Sequence, residues 1–214
     1  MFFAVGTNSK SIKICSLNDI LEGLKPEEET GDLTSMRTNQ AIPIVFDQLN
    51  YHDGSIYCMD WSENERLIAT GSNDKLIKLL VNPCLQESDS NNILELCLRG
   101  HRAKIRTVCF HKVNENIILS GGNVDSEIMV WDTETGERSS MLSGHEGGTF
   151  CIKPSHLGTL FASVGKDKEM KLWDLRNKDP LFKIDLSQFG EPDSVAISPE
   201  GMESDNVSAV VSHE

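Results

Sequence analysis

The chain of 214 residues is 38% hydrophobic and 6% aromatic, which is enough to bury a core, although not a core rich in aromatic side chains. Its 33 acidic residues outnumber its 20 basic residues and give a formal net charge of −13, which repels phosphate backbones, so we expect no nucleic-acid partner. No apolar run approaches the roughly 20 residues that span a bilayer, so we expect no membrane partner.

The six cysteines lie far apart in the sequence and show neither a C-x-x-C motif nor a metal-ligand spacing, so we predict no metal site. Glycine-rich phosphate-binding motifs are missing as well, and we predict no cofactor. The apolar start, residues 1–5, is too short for a secretory signal and has no basic residues before it. We therefore predict reduced thiols and a cytoplasmic protein.

The first 50 residues are similar to a later part of the chain. Residues 4–10 align with residues 69–75, and residues 12–14 align with residues 77–79. We therefore predict that this region is a degraded copy of the unit that follows it. Residues 24–40 are acidic and polar, a composition that cannot bury apolar area, and we predict a mobile loop there.

Short β-rich runs alternate with turn residues through the middle of the chain. Each run is enriched in Ile, Val, Leu and Phe and is bounded by Gly, Asn, Asp, Ser or Pro, which is typical of strands. A sustained apolar period of 3.6 residues is missing, so we predict few helices. The predicted strands form three sets of four: 55–61, 67–71, 76–81 and 93–98; 105–110, 117–121, 127–132 and 138–142; 149–153, 160–164, 170–174 and 181–186.

A group of four residues recurs at nearly fixed offsets. Counting from a histidine, a Ser or Thr follows after about 18 residues, an Asp after about 22 and a Trp or Leu after about 28. Such self-similarity, at a period of 42 to 49 residues, predicts an array of β-sheet blades. The three groups are His52, Thr70, Asp74 and Leu80; His101, Ser120, Asp125 and Trp131; His145, Ser163, Asp167 and Trp173.

Two dipeptides recur together with these groups and resemble the signature of a known family. Gly100-His101 and Gly144-His145 match its GH dipeptide, and Trp131-Asp132 and Trp173-Asp174 match its WD dipeptide. The chain resembles a WD-repeat protein along nearly its whole length. The resemblance implies an all-β fold, a β-propeller of four-stranded blades.

The repeat boundaries predict an incomplete propeller. We expect three full blades at 51–99, 100–143 and 144–187, a degraded blade at 1–50 and a partial blade at 188–214. Family propellers usually have seven blades, which at this period needs about 300 residues, so we interpret the chain as a fragment, a truncated isoform or an incomplete gene model. The alternative is a small ring, closed by pairing Ser194–Ser198 with the N-terminal half unit.

The resemblance also implies how each repeated group is arranged. In this family the Trp indole N–H donates to the Ser or Thr hydroxyl, which meets the His ring, which meets the Asp carboxylate, so that every buried polar group is paired. We expect two structural tetrads and one partial tetrad. They are His101, Ser120, Asp125 and Trp131; His145, Ser163, Asp167 and Trp173; and, in part, His52, Thr70 and Asp74.

A recurring Ser, His and Asp also suggest the nucleophilic triad of an enzyme. An enzyme needs such a triad once, whereas here it recurs in every full unit, so we predict that the protein is not an enzyme. In the unit from His52, Leu80 stands where the others have Trp, and the N–H donor is missing. We expect that unit to depend more on apolar packing.

Binding candidates follow from the resemblance too. In this family the narrow top face contacts partners through residues that open the first strand of each blade and through the residue before the tetrad Asp. The corresponding candidates are Tyr57, Arg106, Phe150, Lys104, Asn73 and Lys166. Tyr and Arg are frequent in binding hot spots, although ordinary packing between blades would equally explain Tyr57 and Phe150.

One further motif concerns Arg176. The stretch Trp173-Asp174-Leu175-Arg176 matches the W-D-x-R box of WD-repeat proteins that serve as substrate receptors of a cullin-based ubiquitin ligase. The alternative is that Arg176 simply follows a strand and is solvated.

These observations predict a non-catalytic scaffold that binds other proteins or peptides within a larger complex. Residues 54–58 and 69–75 are also similar to the carboxy-terminal propeller of a microtubule-associated WD-repeat protein of neurons, which suggests a cytoskeletal complex. A ubiquitin-ligase receptor is the alternative.

Overall fold

The structure, a computed structural model, describes residues 2–23, 43–85, 95–158, 160–197 and 209–212. Strands dominate this part of the chain, in which one α-helix occurs, α1 at Leu17–Gly23. No helix within the described ranges is long and apolar enough to cross a bilayer. The loop predicted at 24–40 lies outside the described residues.

The strands form five antiparallel sheets in chain order. Sheet 1 has three strands, sheets 2 to 4 have four each, and sheet 5 has two. The strands are β1 (Phe2–Gly6), β2 (Ile12–Ser16) and β3 (Ile44–Gln48) in sheet 1; β4 (Ile56–Trp61), β5 (Leu67–Ser72), β6 (Leu76–Val81) and β7 (Glu95–Arg99) in sheet 2; β8 (Ile105–Phe110), β9 (Ile117–Gly122), β10 (Glu127–Asp132) and β11 (Arg138–Ser143) in sheet 3; β12 (Thr149–Pro154), β13 (Leu160–Gly165), β14 (Glu169–Asp174) and β15 (Phe182–Asp185) in sheet 4; and β16 (Ser194–Ile197) and β17 (Ala209–Ser212) in sheet 5.

The first strands of sheets 2, 3 and 4 lie side by side as inner strands. Backbone groups of neighbouring inner strands are linked through side chains: the Phe110 N–H donates to the Asp60 carboxylate at 2.8 Å, and the Ile152 N–H donates to the Thr107 hydroxyl at 3.1 Å. Within each sheet the strands follow one another as a meander. The predicted class is confirmed: the fold is an incomplete β-propeller.

The hydrophobic core lies between successive sheets rather than inside any one of them. Between sheets 3 and 4, for example, Ile128 and Ile152 are buried together with Trp173. The Trp173 ring stacks on Phe161, with ring centroids 5.9 Å apart and planes 5° apart. Because the middle strands of these sheets, such as β9 and β13, are buried almost throughout, each sheet depends on its neighbours.

Sheet 1 repeats the turn geometry of the full sheets. The turns after β1, β5 and β13 each end on a lysine with positive φ, at 69° for Lys10, 71° for Lys75 and 59° for Lys168. In each turn the lysine N–H donates to the carbonyl three residues earlier. The strands β1 and β2 therefore correspond to the second and third strands of a four-stranded unit.

The alternative of a small closed ring is wrong for the described residues. Strand β16 pairs antiparallel with β17 in a two-stranded sheet, with Ser194 opposite Ser212, and β1 pairs with β2. Strands β16 and β17 both lie within the partial blade that the sequence predicts at 188–214.

Candidate functional site

The residues of the His101 group meet inside sheet 3. The His101 ring places Nδ1 2.7 Å from Asp125 Oδ2 and Nε2 2.7 Å from Ser120 Oγ. The Trp131 indole N–H donates to the same Ser120 hydroxyl at 2.8 Å. Four side chains from two strands and two turns thus form one continuous chain of hydrogen bonds.

The His145 group has the same arrangement in sheet 4. His145 Nε2 lies 2.7 Å from Ser163 Oγ, to which the Trp173 indole N–H donates at 2.7 Å. The Asp167 carboxylate accepts from His145 Nδ1 at 2.9 Å.

A fifth residue joins this second group and is not foreseen from the sequence. The Lys171 side chain is fully buried, and its ammonium pairs with Asp167 and, at 2.7 Å, with Glu169. Lysine in a strand ordinarily indicates a solvated face, and only its position two residues before Trp173 could have drawn attention to it. Met129 occupies the equivalent place in sheet 3.

The His52 group in sheet 2 has a different fourth member. His52 contacts Asp74 through Nδ1 and Thr70 through Nε2, both at 2.8 Å, but Leu80 offers no N–H donor. Tyr51 fills the space instead: it is 3% exposed and its ring packs edge-on against His52 at 5.2 Å. Its hydroxyl is buried, and burial raises the pKa of Tyr51.

Sheet 2 has Tyr51 where sheets 3 and 4 have glycine, and this difference has a steric reason. In sheets 3 and 4 the residue before the histidine is glycine, and a Cβ added there would meet the tryptophan ring at 3.1 Å from Gly100 and 2.9 Å from Gly144. Glycine is thus required where tryptophan lies opposite. With Leu80 opposite, there is room for a large ring at position 51.

The order of protons along each group follows from its end members. An ionised carboxylate only accepts, so the histidine Nδ1–H donates to Asp; in sheets 3 and 4, Nε2 then accepts from the Ser hydroxyl. The hydroxyls of Ser120 and Ser163 are therefore engaged on both sides, and both residues are 0% exposed. A nucleophile must reach a substrate, and these hydroxyls do not reach the surface.

Acidification should destabilise the fold through the buried histidines. Burial lowers the pKa of His52 and of His101 below the ordinary value of 6.5, so the unfolded chain takes up these protons at a higher pH than the folded chain. We expect the free energy of unfolding to fall below about pH 6.5, by at most about 1.4 kcal/mol per pH unit for each histidine. Urea denaturation between about pH 5 and pH 7.5 measures this slope.

A variant tests whether the buried histidines cause this dependence of stability on pH. His101→Gln removes one of the histidines whose pKa is lowered, and the stability of this variant should change less steeply with pH than that of the parent chain. A parent stability that is constant or rises on acidification across this range would contradict the expectation.

The binding candidates on the inner strands share one backbone feature. A β-bulge interrupts the pairing of each inner strand at its second residue: between Ile56 and Cys58, between Ile105 and Thr107, and between Thr149 and Cys151. The skipped residues are Tyr57, Arg106 and Phe150. A bulge takes a side chain out of the alternation of the strand, and all three bulges lie at the same end of the inner strands.

These side chains contact one another across neighbouring sheets. The Lys104 ammonium lies 5.3 Å from the centroid of the Tyr57 ring, and the Arg106 guanidinium lies 5.3 Å from the centroid of the Phe150 ring. Tyr57 is 45% exposed. We call these four residues, Tyr57, Lys104, Arg106 and Phe150, the inner ledge.

Asn73 and Lys166 are held beside the inner strands by backbone hydrogen bonds. The Asn73 N–H donates to the Ser55 carbonyl at 2.9 Å, and the Lys166 N–H donates to the Gly148 carbonyl at 2.8 Å. Both side chains are exposed. The structure therefore brings six of the seven candidates to the same end of the sheets.

Arg176 lies at the opposite end, because it follows β14, whose other end adjoins Lys166. Its guanidinium donates two hydrogen bonds to the Asp174 carboxylate, with Nε 2.9 Å from Oδ1 and Nη2 2.5 Å from Oδ2. This pairing lowers the pKa of Asp174 to about 2. The Arg176 side chain is nevertheless 80% exposed, so the fork is both fixed and accessible.

Three successive antiparallel sheets, sheets 2 to 4, each carry a buried hydrogen-bonded group at the same place, which defines a repeat-built β-propeller. The sequence matches the family described as "WD domain, G-beta repeat" over residues 45–79, 92–132 and 136–174. The chain therefore belongs to the WD40 repeat family. Proteins of this family are typically interaction scaffolds without catalytic activity.

Curated relatives match parts of the chain. It is 30% identical to the LEC14B protein of Lithospermum erythrorhizon over 56% of this chain and 25% of that protein. It is 31% identical to the probable cytosolic iron-sulfur protein assembly protein 1 of Kluyveromyces lactis over 59% of this chain and 38% of that protein. It is 28% identical to the protein transport protein SEC31 of Saccharomyces cerevisiae over 62% of this chain and 11% of that protein. The chain thus spans well under half the length of these relatives.

Proposed function

We propose that the protein is a non-catalytic scaffold that binds partner proteins or peptides through the inner ledge. The observation that carries this proposal is the contrast between two sets of side chains. Ser120 and Ser163 are fully buried and hydrogen-bonded on both sides, whereas Tyr57 is 45% exposed at a bulge. Aromatic and arginine side chains on a rigid element are the usual anchors of a protein interface.

The scaffold acts in the cytoplasm as part of a larger complex. A relative named for cytosolic iron–sulfur protein assembly supports this location. The similarity of residues 54–58 and 69–75 to nemitin, a microtubule-associated WD-repeat protein of neurons, supports a cytoskeletal complex. A chain of net charge −13 needs a basic companion to bind the acidic microtubule wall, so we expect it in a complex and not on bare filaments.

A second candidate function rests on Arg176. Its guanidinium is fixed by Asp174 at the opposite end of the sheets and remains exposed, so a second protein can reach it. In that case the protein is a substrate receptor of a cullin-based ubiquitin ligase. The inner ledge would then hold the substrate, and the end with Arg176 would face the ligase.

Affinity purification of the tagged full chain with quantitative mass spectrometry tests both functions. The double variant Tyr57→Ser/Arg106→Gln should lower the recovery of the main partners at least about fivefold, since hot-spot truncation costs more than about 1 kcal/mol. Arg176→Ala should leave those partners in place.

Lys112→Gln is the matched control. Lys112 extends from the same sheet as Arg106 and has a similar exposed side chain, 31% against 33%, but lies at the other end of β8. Unchanged recovery with the ledge variant would refute binding through the ledge. Loss of a cullin-ligase adaptor with Arg176→Ala alone would favour the receptor function instead.

A further inference from the structure

The inner ledge carries two cations in a strongly acidic chain. Lys104 and Arg106 both belong to the ledge, whereas the whole sequence has a net charge of −13. The carboxylate that the structure pairs with Arg106 is Asp193, at 3.7 Å, a distance longer than a hydrogen bond. Asp193 is itself 58% exposed, so this pairing is loose.

Both cations are held in place before any partner binds. Each lies over an aromatic ring of a neighbouring sheet at 5.3 Å, Lys104 over Tyr57 and Arg106 over Phe150. A guanidinium above a ring face keeps its in-plane N–H donors free for a carboxylate, which it binds with two parallel hydrogen bonds. Holding the cations in place in this way lowers the entropic cost of binding.

We propose that the inner ledge binds an acidic peptide segment, one of whose carboxylates replaces Asp193 on Arg106. This proposal rests on the proposed function and names the chemistry of the partner. The peptide carboxylate binds the Arg106 fork, a second acidic residue binds Lys104, and an apolar side chain between them packs on the exposed Tyr57 ring. Asp193 acts as a weak internal competitor for the same guanidinium.

A peptide fits this surface better than a nucleic acid does. A peptide brings a few carboxylates to a small cationic patch, whereas a polyphosphate would extend over the surrounding surface of an acidic chain and be repelled by it. The two cations next to two rings also match the alternation of acidic and apolar side chains along an extended peptide.

Selection of a random-peptide phage library on the full chain tests the proposal. We expect enriched peptides to be rich in Asp and Glu, and to bind less tightly as salt is raised from about 50 mM to about 500 mM. Arg106→Gln should weaken the enriched peptides about tenfold or more, because hydrogen bonds between charged groups are strong. Asp193→Asn should strengthen them, and Lys112→Gln should leave them unchanged.

The remaining outcomes distinguish a failure of this proposal from a failure of the scaffold function on which it rests. Peptides that depend on Tyr57 but show no preference for acidic residues would overturn the acidic partner and leave the scaffold function standing. A failure to enrich any peptide that depends on the ledge would overturn both. Tighter binding of a single-stranded DNA oligonucleotide than of the acidic peptides would also overturn the proposal. Thermal melts of each variant establish that its fold is intact.

Discussion

Replacing Asp167 with alanine is expected to cost about 3–5 kcal/mol of unfolding free energy, one of the largest losses that a single substitution should cause in this chain. The carboxylate accepts from His145 and from the fully buried ammonium of Lys171. Burial alone would raise the pKa of Asp167, but these hydrogen bonds hold it well below its ordinary value. Glu169 remains as a second partner of Lys171, which keeps the loss toward the lower end.

Sheet 3 provides the matched control for this substitution. Asp125 pairs with His101 in the same way, but Met129 stands where sheet 4 has Lys171, so Asp125→Ala removes the partner of the histidine and of the Arg102 N–H but leaves no buried ammonium behind. We expect that variant to lose about 1–3 kcal/mol. Urea denaturation of the two variants measures the difference.

A second substitution shows how much of the loss in Asp167→Ala comes from the buried Lys171 ammonium. Adding Lys171→Met to Asp167→Ala removes the buried ammonium that has lost Asp167 and should restore much of the lost stability, as replacing a buried ion pair by apolar side chains often does. Equal losses for Asp125→Ala and Asp167→Ala, with no recovery on adding Lys171→Met, would show that Lys171 contributes nothing through Asp167.

The second large effect concerns Tyr51 and Leu80 in sheet 2. Tyr51→Gly should cost about 3–5 kcal/mol, because it leaves a cavity beside Leu80 in the core between sheets 1 and 2. Leu80→Trp should cost about 1–3 kcal/mol, because the new ring meets Tyr51. The double variant rebuilds the Gly and Trp pair of sheets 3 and 4 and should lose clearly less than the sum of the two.

A double-mutant cycle from denaturation curves measures this coupling, which we expect to reach about 2–3 kcal/mol in favour of the double variant. The rebuilt group also regains the indole N–H donor for Thr70 that Leu80 lacks. The converse exchange in sheet 3, Gly100→Tyr with Trp131→Leu, serves as the control and should be coupled in the same direction. Additive losses in both cycles would mean that the two positions do not compensate each other.

Much of the fold could be predicted because each strand is a short apolar run with turn residues at both ends. The bounds of β6, β8 and β10 are the predicted ones. The helix α1 was not predicted individually, since seven residues make only two turns and give no measurable period. The strand predicted at 181–186 is shorter in the structure, Phe182–Asp185, and all four of its residues are exposed.

The site could be predicted less completely. The spacing of His, Ser, Asp and Trp points to groups that meet, because hydroxyl, imidazole, carboxylate and indole satisfy one another when buried. Burial of Lys171 could not be predicted, since a lysine within an alternating strand ordinarily faces solvent. The contact between Arg106 and Phe150 depends on the distance between two sheets, and this distance cannot be predicted from the sequence.

The bulges on the inner strands also affect how this protein can change over generations. At each bulge one side chain is released from the pleat, while its neighbours Ile56, Ile105 and Thr149 stay buried. Tyr57, Arg106 and Phe150 are chemically unlike one another at equivalent positions, which shows that the scaffold tolerates very different residues there. Mutation at these sites can therefore alter partner choice at little cost to folding. A new binding specificity can evolve while every intermediate variant still folds.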